Sequence, residues 1–397
     1  MKNFVFISPN FPESYWHFCY ELKQNGLRVL GIGDCPYDDL KQELRDSLHE
    51  YYKVSSLENY DEVFKAVAFF TFKYGKIDWL ESNNEYWLMR DAKLRTEFNI
   101  TTGFKDSDMD RIKLKSGMKA YYAKAGLPTA RYHLVQGYDD AYEFAHMVGY
   151  PVVVKPDNGV GANNTYRLKN DDDLQYFIAT KDENIYIMEE FVKGHVETYD
   201  AIIDADGNPV FESGNVTPHS LMDVVNNNED SLYYIVNYLT PEILDAGKRT
   251  VEAFGVRSRF VHLEFFVMDD DQEGLGKKGD VIGLEVNMCP AGGFTPDMYN
   301  FAYDTDVYKI WADMIAFNGS TKPPYQKRQY CAFVGRRDNK DYVMDHNAVV
   351  ARYGHCMKMY NRIPDALSAC MANIMYLCNF DTYEQMQEFY QDMLRTN

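Results

Sequence analysis

The sequence predicts an α/β protein of two or three domains, and three features of its patterning predict it. Strand-like and helix-like runs alternate over residues 1–104. A β-branched run ending in Lys155 leads into a glycine-rich loop. Two short apolar runs, 260–268 and 281–288, flank a polar segment at 270–279.

The first region reads as a strand at 4–7, a helix at 14–25, a strand at 28–32, a second helix, a strand at 77–80 and a helix containing 86–95. That alternation gives a small domain with a parallel sheet. Its first strand is followed by Ser8-Pro9-Asn10-Phe11-Pro12 rather than a GxGxxG turn, so dinucleotide binding is not expected there and a structural or substrate-shaping role is. From about residue 105 the style changes. A helix is expected at 111–125, closed by Gly126 and Pro128, then strands at 152–155, 165–168 and 185–192 around a helix whose first turn holds Asp171, Asp172 and Asp173. Helices follow at 241–254 and 303–317. After Lys322-Pro323-Pro324 comes a region of about 70 residues rich in Met, Tyr and Cys.

Composition narrows the function classes. A formal net charge of -19 disfavours nucleic acid and anionic membrane as main partners, because no compensating basic cluster appears. The seven cysteines are widely spaced without a CxxC pair, which suits reduced thiols in a cytoplasm. No run of 18 apolar residues marks a membrane span. A cytoplasmic protein acting on small molecules is expected.

The flanked polar segment reads as the loop of an antiparallel hairpin. Pairing from Asp269 opposite Asp280 sets Glu264 opposite Glu285 and His262 opposite Asn287, with all four on one face. Directly opposed like charges destabilise a sheet, and a hard cation taking carboxylate and amide oxygens would compensate them. A solvated hairpin in another register is the alternative. The loop Pro156 to Asn164 contains Gly159 and Gly161, which would let backbone N–H groups approach an anion, although it lacks the GK[ST] of a Walker A loop.

Taken in order, these segments resemble the ATP-grasp superfamily, in the branch of biotin carboxylase, carbamoyl phosphate synthase and L-amino-acid ligases. Lys115-Ser116-Gly117-Met118-Lys119 ahead of Ala125-Gly126-Leu127-Pro128-Thr129 is similar to the helix carrying the first nucleotide lysine. Val152-Val153-Val154-Lys155-Pro156 is similar to the strand carrying the second, and the glycine-rich loop to the mobile lid. Ile187-Met188-Glu189-Glu190-Phe191-Val192 resembles the hinge that meets adenine, and His195-Val196-Glu197 the ribose segment. Glu264, Glu285 and Asn287 fall on the metal triad.

The resemblance implies an α+β grasp architecture: a Rossmann-like pre-grasp domain at 1–107, a grasp domain at 108–320 with a lid subdomain at about 130–200, and a C-terminal cap at 321–397. It implies ATP with Mg²⁺ or Mn²⁺ as cofactors, small carboxylate and amine substrates, and a possible homo-oligomer. The expected activity is an ADP-forming carboxylate–amine ligase. A bicarbonate-using carboxylase and a non-catalytic nucleotide-binding module are the alternatives. Lys115, Lys155, Gly159, Gly161, Glu189, Glu190, Val192 and Glu197 are then the nucleotide residues. One departure stands out: relatives near biotin carboxylase read E-x-N-x-R, whereas Cys289 holds the arginine position here. A neutral thiol cannot make a guanidinium's bidentate contact. Arg259 or Arg257, and Arg336 or Arg337, are therefore the candidate holders of the acyl substrate, with Lys155 on the phosphates. The turn 290–296 offers N–H groups for an oxyanion. No general base is obvious: His219, in the polar segment 217–230, is the best available candidate, and an exposed loop histidine is the alternative.

Overall fold

The computed structural model describes residues 1–159, 164–218, 224 and 227–397. Among these, three sheets form, with strands numbered in chain order. The first has the order β3 (Glu50–Lys53), β2 (Arg28–Gly33), β1 (Asn3–Ile7), β4 (Trp79–Glu81) and is parallel throughout. Its strands are apolar on both faces because helices cover both, as the sequence alternation requires.

The second sheet is antiparallel and falls within 130–200, the segment expected as a lid subdomain: β5 (Tyr132–Leu134), β8 (Tyr186–Glu190), β6 (Val152–Pro156), β7 (Tyr166–Leu168). Its own core is built from Val152, Val154, Met188, Phe144 and Phe177.

The third sheet is central and runs β14 (Val281–Asn287), β13 (Arg259–Met268), β9 (Gly194–Ile203), β11 (Asn215–Thr217), β12 (Ser231–Ile235), β15 (Tyr330–Arg336), β17 (Ile374–Phe380), β16 (Met357–Arg362), with β10 (Pro209–Ser213) also paired to β9. The strands after residue 320 thus continue the sheet that carries the acidic hairpin: Ser231 to Ile235 pairs with Gly335 to Cys331. Phe260, Ile202 and Phe333 share one core with Phe4, Phe18 and Trp311, so the N-terminal region and the central sheet pack as one body. Behind the hairpin, Leu263, Phe265 and Val286 pack against Tyr122 and Phe254 from the helices Lys115–Lys124 and Pro241–Phe254.

Two helices differ from the expectation. The first divides into Met109–Lys113 and Lys115–Lys124 at Leu114, whose backbone is extended. Asp157 of the lid loop causes the restart: it accepts hydrogen bonds from the Ser116 N–H and hydroxyl, both at 2.7 Å. A side chain at Gly117 would place its Cβ 1.9 Å from the Asp110 carbonyl, so glycine permits the two short helices to close on each other. The second, expected at 303–317, runs from Val307 to Phe317, and a separate helix, Thr295–Tyr303, ends ahead of it at a left-handed Asp304. No helix among the described residues is long and apolar enough to cross a membrane.

Candidate active site

A cleft of about 270 Å³ lies between the lid sheet and the acidic hairpin. Three lysines reach it. Lys115 and Lys119 are one turn apart on a helix, so they share a face, while Lys155 comes from β6. All three are buried. Their counter-charges are Glu189 from β8 and Glu285 from β14. Lys155 Nζ lies 2.7 Å from Glu189 Oε2, Lys119 bonds the other oxygen of the same carboxylate, and Lys115 Nζ donates to Glu285 Oε1 and the Gly159 carbonyl, each at 3.1 Å. Burial alone would raise the Glu189 pKa, but the two ammoniums outweigh it and hold the group down at about 2. Burial pulls Lys119 below the ordinary lysine value. The same burial acts on Lys155 but is overcome by Glu189 and Glu285, so its pKa is raised.

The hairpin pairs Glu264 with Glu285 and His262 with Asn287, as the sequence count set them. The count itself needed a correction. Nearer the loop the register is one residue shorter, with Phe266 opposite Ile282 and Val267 opposite Val281, and a bulge at Leu284 restores it before the site. Gly283 makes the bulge possible, since a Cβ there would lie 2.4 Å from the Tyr122 ring.

In this state the opposed carboxylates are separated by their partners, Lys115 on Glu285 and His262 on Glu264, with His262 Nε2 3.2 Å from Glu264 Oε1. The fully buried Asp200 accepts from His262 Nδ1 at 2.5 Å. Burial opposes charge on the imidazole, but Asp200 and then Glu264 outweigh it and raise its pKa to about 10. Asn287 Nδ2 lies 3.4 Å from Glu264 Oε1, which brings its amide to the same point. Among the described residues no three His, Cys, Asp or Glu side chains form a complete metal cage. Two carboxylates and an amide instead fit a cation that takes its remaining oxygens from phosphates and water, which is the habit of Mg²⁺.

Between hinge and hairpin the cleft is apolar: Ala130, Val153, Val192, Phe266 and Leu284 line it. Such walls suit a flat ring, with the lysines and carboxylates at the other end. Glu190 contributes differently from its neighbour. Its carboxylate binds Arg131 and Gln272, so it braces the hinge from beside the cleft while Glu189 turns inward.

Three expected site residues are placed elsewhere. Glu197 pairs with Phe265, so strand alternation puts it on the back of the sheet. There it meets His195 Nε2 at 3.1 Å and lines a separate cavity of about 170 Å³. Arg259 is buried against Glu81 at 2.6 Å and the Met288 carbonyl at 3.0 Å, beneath the hairpin rather than in the cleft. Arg336 donates to the Met344 and Met393 carbonyls inside the C-terminal region. Neither arginine lines the cleft, and Arg337 likewise binds the Glu229, Ser368 and Ala369 carbonyls. Cys289 is buried beside Glu85, and burial then Glu85 push its thiol well above the ordinary value, which removes it as a nucleophile. Gly161 and His219 lie outside the described residues.

Lys119 and Asp200 were missed by the sequence reading, and for Lys119 the signal was present, since it stands four residues after Lys115. Asp200 carries no such mark: it comes to His262 only through the pairing of β9 with β13.

A family model described as the carbamoyl-phosphate synthase L chain ATP binding domain matches residues 110–227. The L-arginine-specific L-amino acid ligase of Bacillus subtilis is 26% identical over 306 residues, covering 74% of this chain and 70% of that one. The carbamoyl phosphate synthase large chain of Agathobacter rectalis is 25% identical over 178 residues, but that alignment takes in only 16% of its length. The crystal structure of L-amino acid ligase from Bacillus licheniformis superposes with a TM-score of 0.73 at 16% identity, over 100% of this chain and 99% of that one. The chain shares the ATP-grasp fold of that enzyme over its whole length. An ADP complex of N5-carboxyaminoimidazole ribonucleotide synthetase shares this ATP-grasp fold, with a TM-score of 0.70 at 15% identity over 98% and 95% of the two chains.

Proposed function

We propose that this protein is an ADP-forming ligase that activates a small carboxylate as an acyl phosphate and joins it to an amine. The observation that carries the reading is the charge arrangement of the cleft. Lys115, Lys119 and Lys155 face Glu264, Glu285 and Asn287 across a space whose other end is apolar. The lysines pair with carboxylates, and MgATP can take both sets of partners at once, phosphates to the ammoniums and cation to the carboxylates.

In this reading Lys155 and Lys115 hold the β- and γ-phosphates, and Lys119 with Glu189 frames the passage between base and phosphates. Val153, Val192, Phe266 and Leu284 clasp the ring. Mg²⁺, held by Glu264, Glu285 and Asn287, supplies charge neutralisation on the transferring phosphoryl group. The chain's contribution is position and electrostatics. A substrate carboxylate oxygen bonds the γ-phosphorus as its bond to the ADP oxygen breaks, and the amine nitrogen then displaces phosphate from the acyl carbon with loss of a proton. Asp200 keeps His262 charged at neutral pH, so His262 stabilises negative charge beside Glu264 instead of accepting that proton.

The test is to incubate the protein with MgATP and pools of amino acids, hydroxy acids and amines while following ADP and phosphate. L-Arginine belongs in the first pool because the Bacillus subtilis relative is named for it. ADP release should depend on a carboxylate, and hydroxylamine should trap the acyl phosphate as a hydroxamate. MgATP binding without turnover in every pool would replace this reading with a nucleotide-binding module.

A further inference from the structure

The N-terminal region reaches the base of the acidic hairpin through two carboxylates that the proposed chemistry leaves unused. Glu81 ends β4, and Glu85 follows in the loop ahead of the helix Leu88–Glu97. That loop is pinned, because the fully buried Asp91 accepts the Ser82 N–H at 2.9 Å and the Ser82 hydroxyl at 2.6 Å. Glu85 thereby stands between partners from two distant parts of the chain. Its Oε1 accepts from the buried Lys113 Nζ at 3.1 Å and its Oε2 from the Met288 N–H at 3.1 Å, while its carbonyl takes a further bond from Lys113 at 3.2 Å. The Cys289 thiol faces the same Oε2 at 3.9 Å.

Each partner adjoins a residue of the cleft. Met288 follows Asn287, and Lys113 precedes Lys115 with only the extended Leu114 between them. β14 is the edge strand of the central sheet and its ladder ends at Asn287, so Met288 has no strand to pair with. Side chains take both of its backbone groups instead. The N–H goes to Glu85, and the carbonyl accepts from Arg259 Nε at 3.0 Å. Arg259 is braced in turn by Glu81 Oε2 at 2.6 Å, and the same oxygen holds the fully buried Arg95 at 2.8 Å. Fixing the residue after Asn287 at both N–H and C=O limits where the Asn287 amide can point, and a cation of near-octahedral habit is sensitive to the placing of each oxygen.

We infer that Glu85 is a positioning residue: it ties the backbone beside Asn287 to the backbone beside Lys115, and so sets the proposed metal ligand against the phosphate-binding helix. Arg259, held by Glu81, steadies the same point from the other side. The N-terminal region thus acts on the bound nucleotide although none of its described residues lines the cleft. This role rests on the nucleotide and metal assignments proposed above, not on the ligase chemistry.

The test is titration calorimetry of the whole protein with ADP, with and without Mg²⁺, which reads the metal-dependent gain in affinity without any turnover. Glu85→Ala should cut that gain by on the order of tenfold and leave the affinity for ADP alone within about twofold. Glu85→Gln should recover most of the gain, since its amide oxygen can still accept the Met288 N–H while Lys113 keeps its backbone carbonyl partner. Both variants lose the ion pair with Lys113, so a purely structural role would move them together. A gain unchanged in Glu85→Ala, an equal loss in the two variants, or an affinity for ADP alone that falls as far as that for MgADP would overturn the inference. The unaltered protein supplies a check that no folding defect can shield. Its Met288 amide should be protected from hydrogen exchange in the absence of nucleotide, and exchange at the rate of an open loop would equally overturn it. A protein that shows this pattern with MgADP and ligates nothing would fail the ligase reading and leave the role of Glu85 standing.

Discussion

Glu189 shows how a buried charge can serve a site before its ligand arrives. Two lysines close on one carboxylate, and removing that carboxylate would leave both ammoniums buried without a counter-charge. Glu189→Gln should therefore cost about 3–5 kcal/mol of stability in the nucleotide-free protein, read by chemical denaturation. The pH dependence follows from the sign of the shift. The folded-state pKa of about 2 lies below the ordinary 4.5, so the stabilisation is fully present above pH 4.5 and is lost as pH falls towards 2. The Gln variant should lose this part of the acid limb; an unaltered acid limb would remove Glu189 from the electrostatic account. At the metal end, Glu285→Gln with Asn287→Ala should abolish Mg²⁺-dependent ATP turnover while thermal melting still shows a folded protein. ADP production at the original rate in that variant would end the metal assignment. The same scale explains why the arginines were misread: a guanidinium looks alike in sequence whether it meets a substrate or a backbone carbonyl. Arg259 and Arg336 acquire their carbonyl partners only through long-range packing.

At the level of elements, the hairpin was legible because alternation is a local property. Glu264, Glu285, His262 and Asn287 carry their pairing in their spacing, and the structure keeps it. The bulge was less visible, although a glycine inside a strand is its usual mark, and Gly283 stands at the shift. A start one residue out near the loop and an uncounted bulge cancelled, which is why the site register came out right. Glu197 had no such cancellation, and its strand's alternation turns it away from the cleft. Gly283→Ala tests the role of the bulge. Its Cβ would lie 2.4 Å from Cδ1 of the buried Tyr122, so ring or strand must move, at a cost of about 1–3 kcal/mol. Because Glu285 follows two residues later, turnover should fall together with stability. A variant that melts normally and turns over normally would mean that the ring yields without disturbing the hairpin.

Across the whole molecule, the lid sheet and the central sheet supply opposite halves of one charge-balanced cleft. Lys155 and Glu189 come from the lid, Glu264, Glu285 and Asn287 from the central sheet, and Lys115 and Lys119 from the helix that Asp157 joins to the lid loop. The contact between Lys115 and Glu285 ties that helix to the central sheet. MgADP would replace that contact with two stronger sets, phosphate on lysine and cation on carboxylate, so its binding should couple the two sheets and stabilise the native chain as a whole. At a hundredfold excess over its Kd the linkage amounts to about 2.7 kcal/mol, which denaturant melts can resolve. The increment should require the metal: a chelator should remove most of it in the unaltered protein and make little difference in the Glu285→Gln, Asn287→Ala variant, where the carboxylate side of the exchange is already disabled. ADP alone giving the full increment, indifferent to chelator, would show that the lysines and the apolar slot bind the nucleotide without the hairpin, and the two halves of the cleft would then have to be treated as independent.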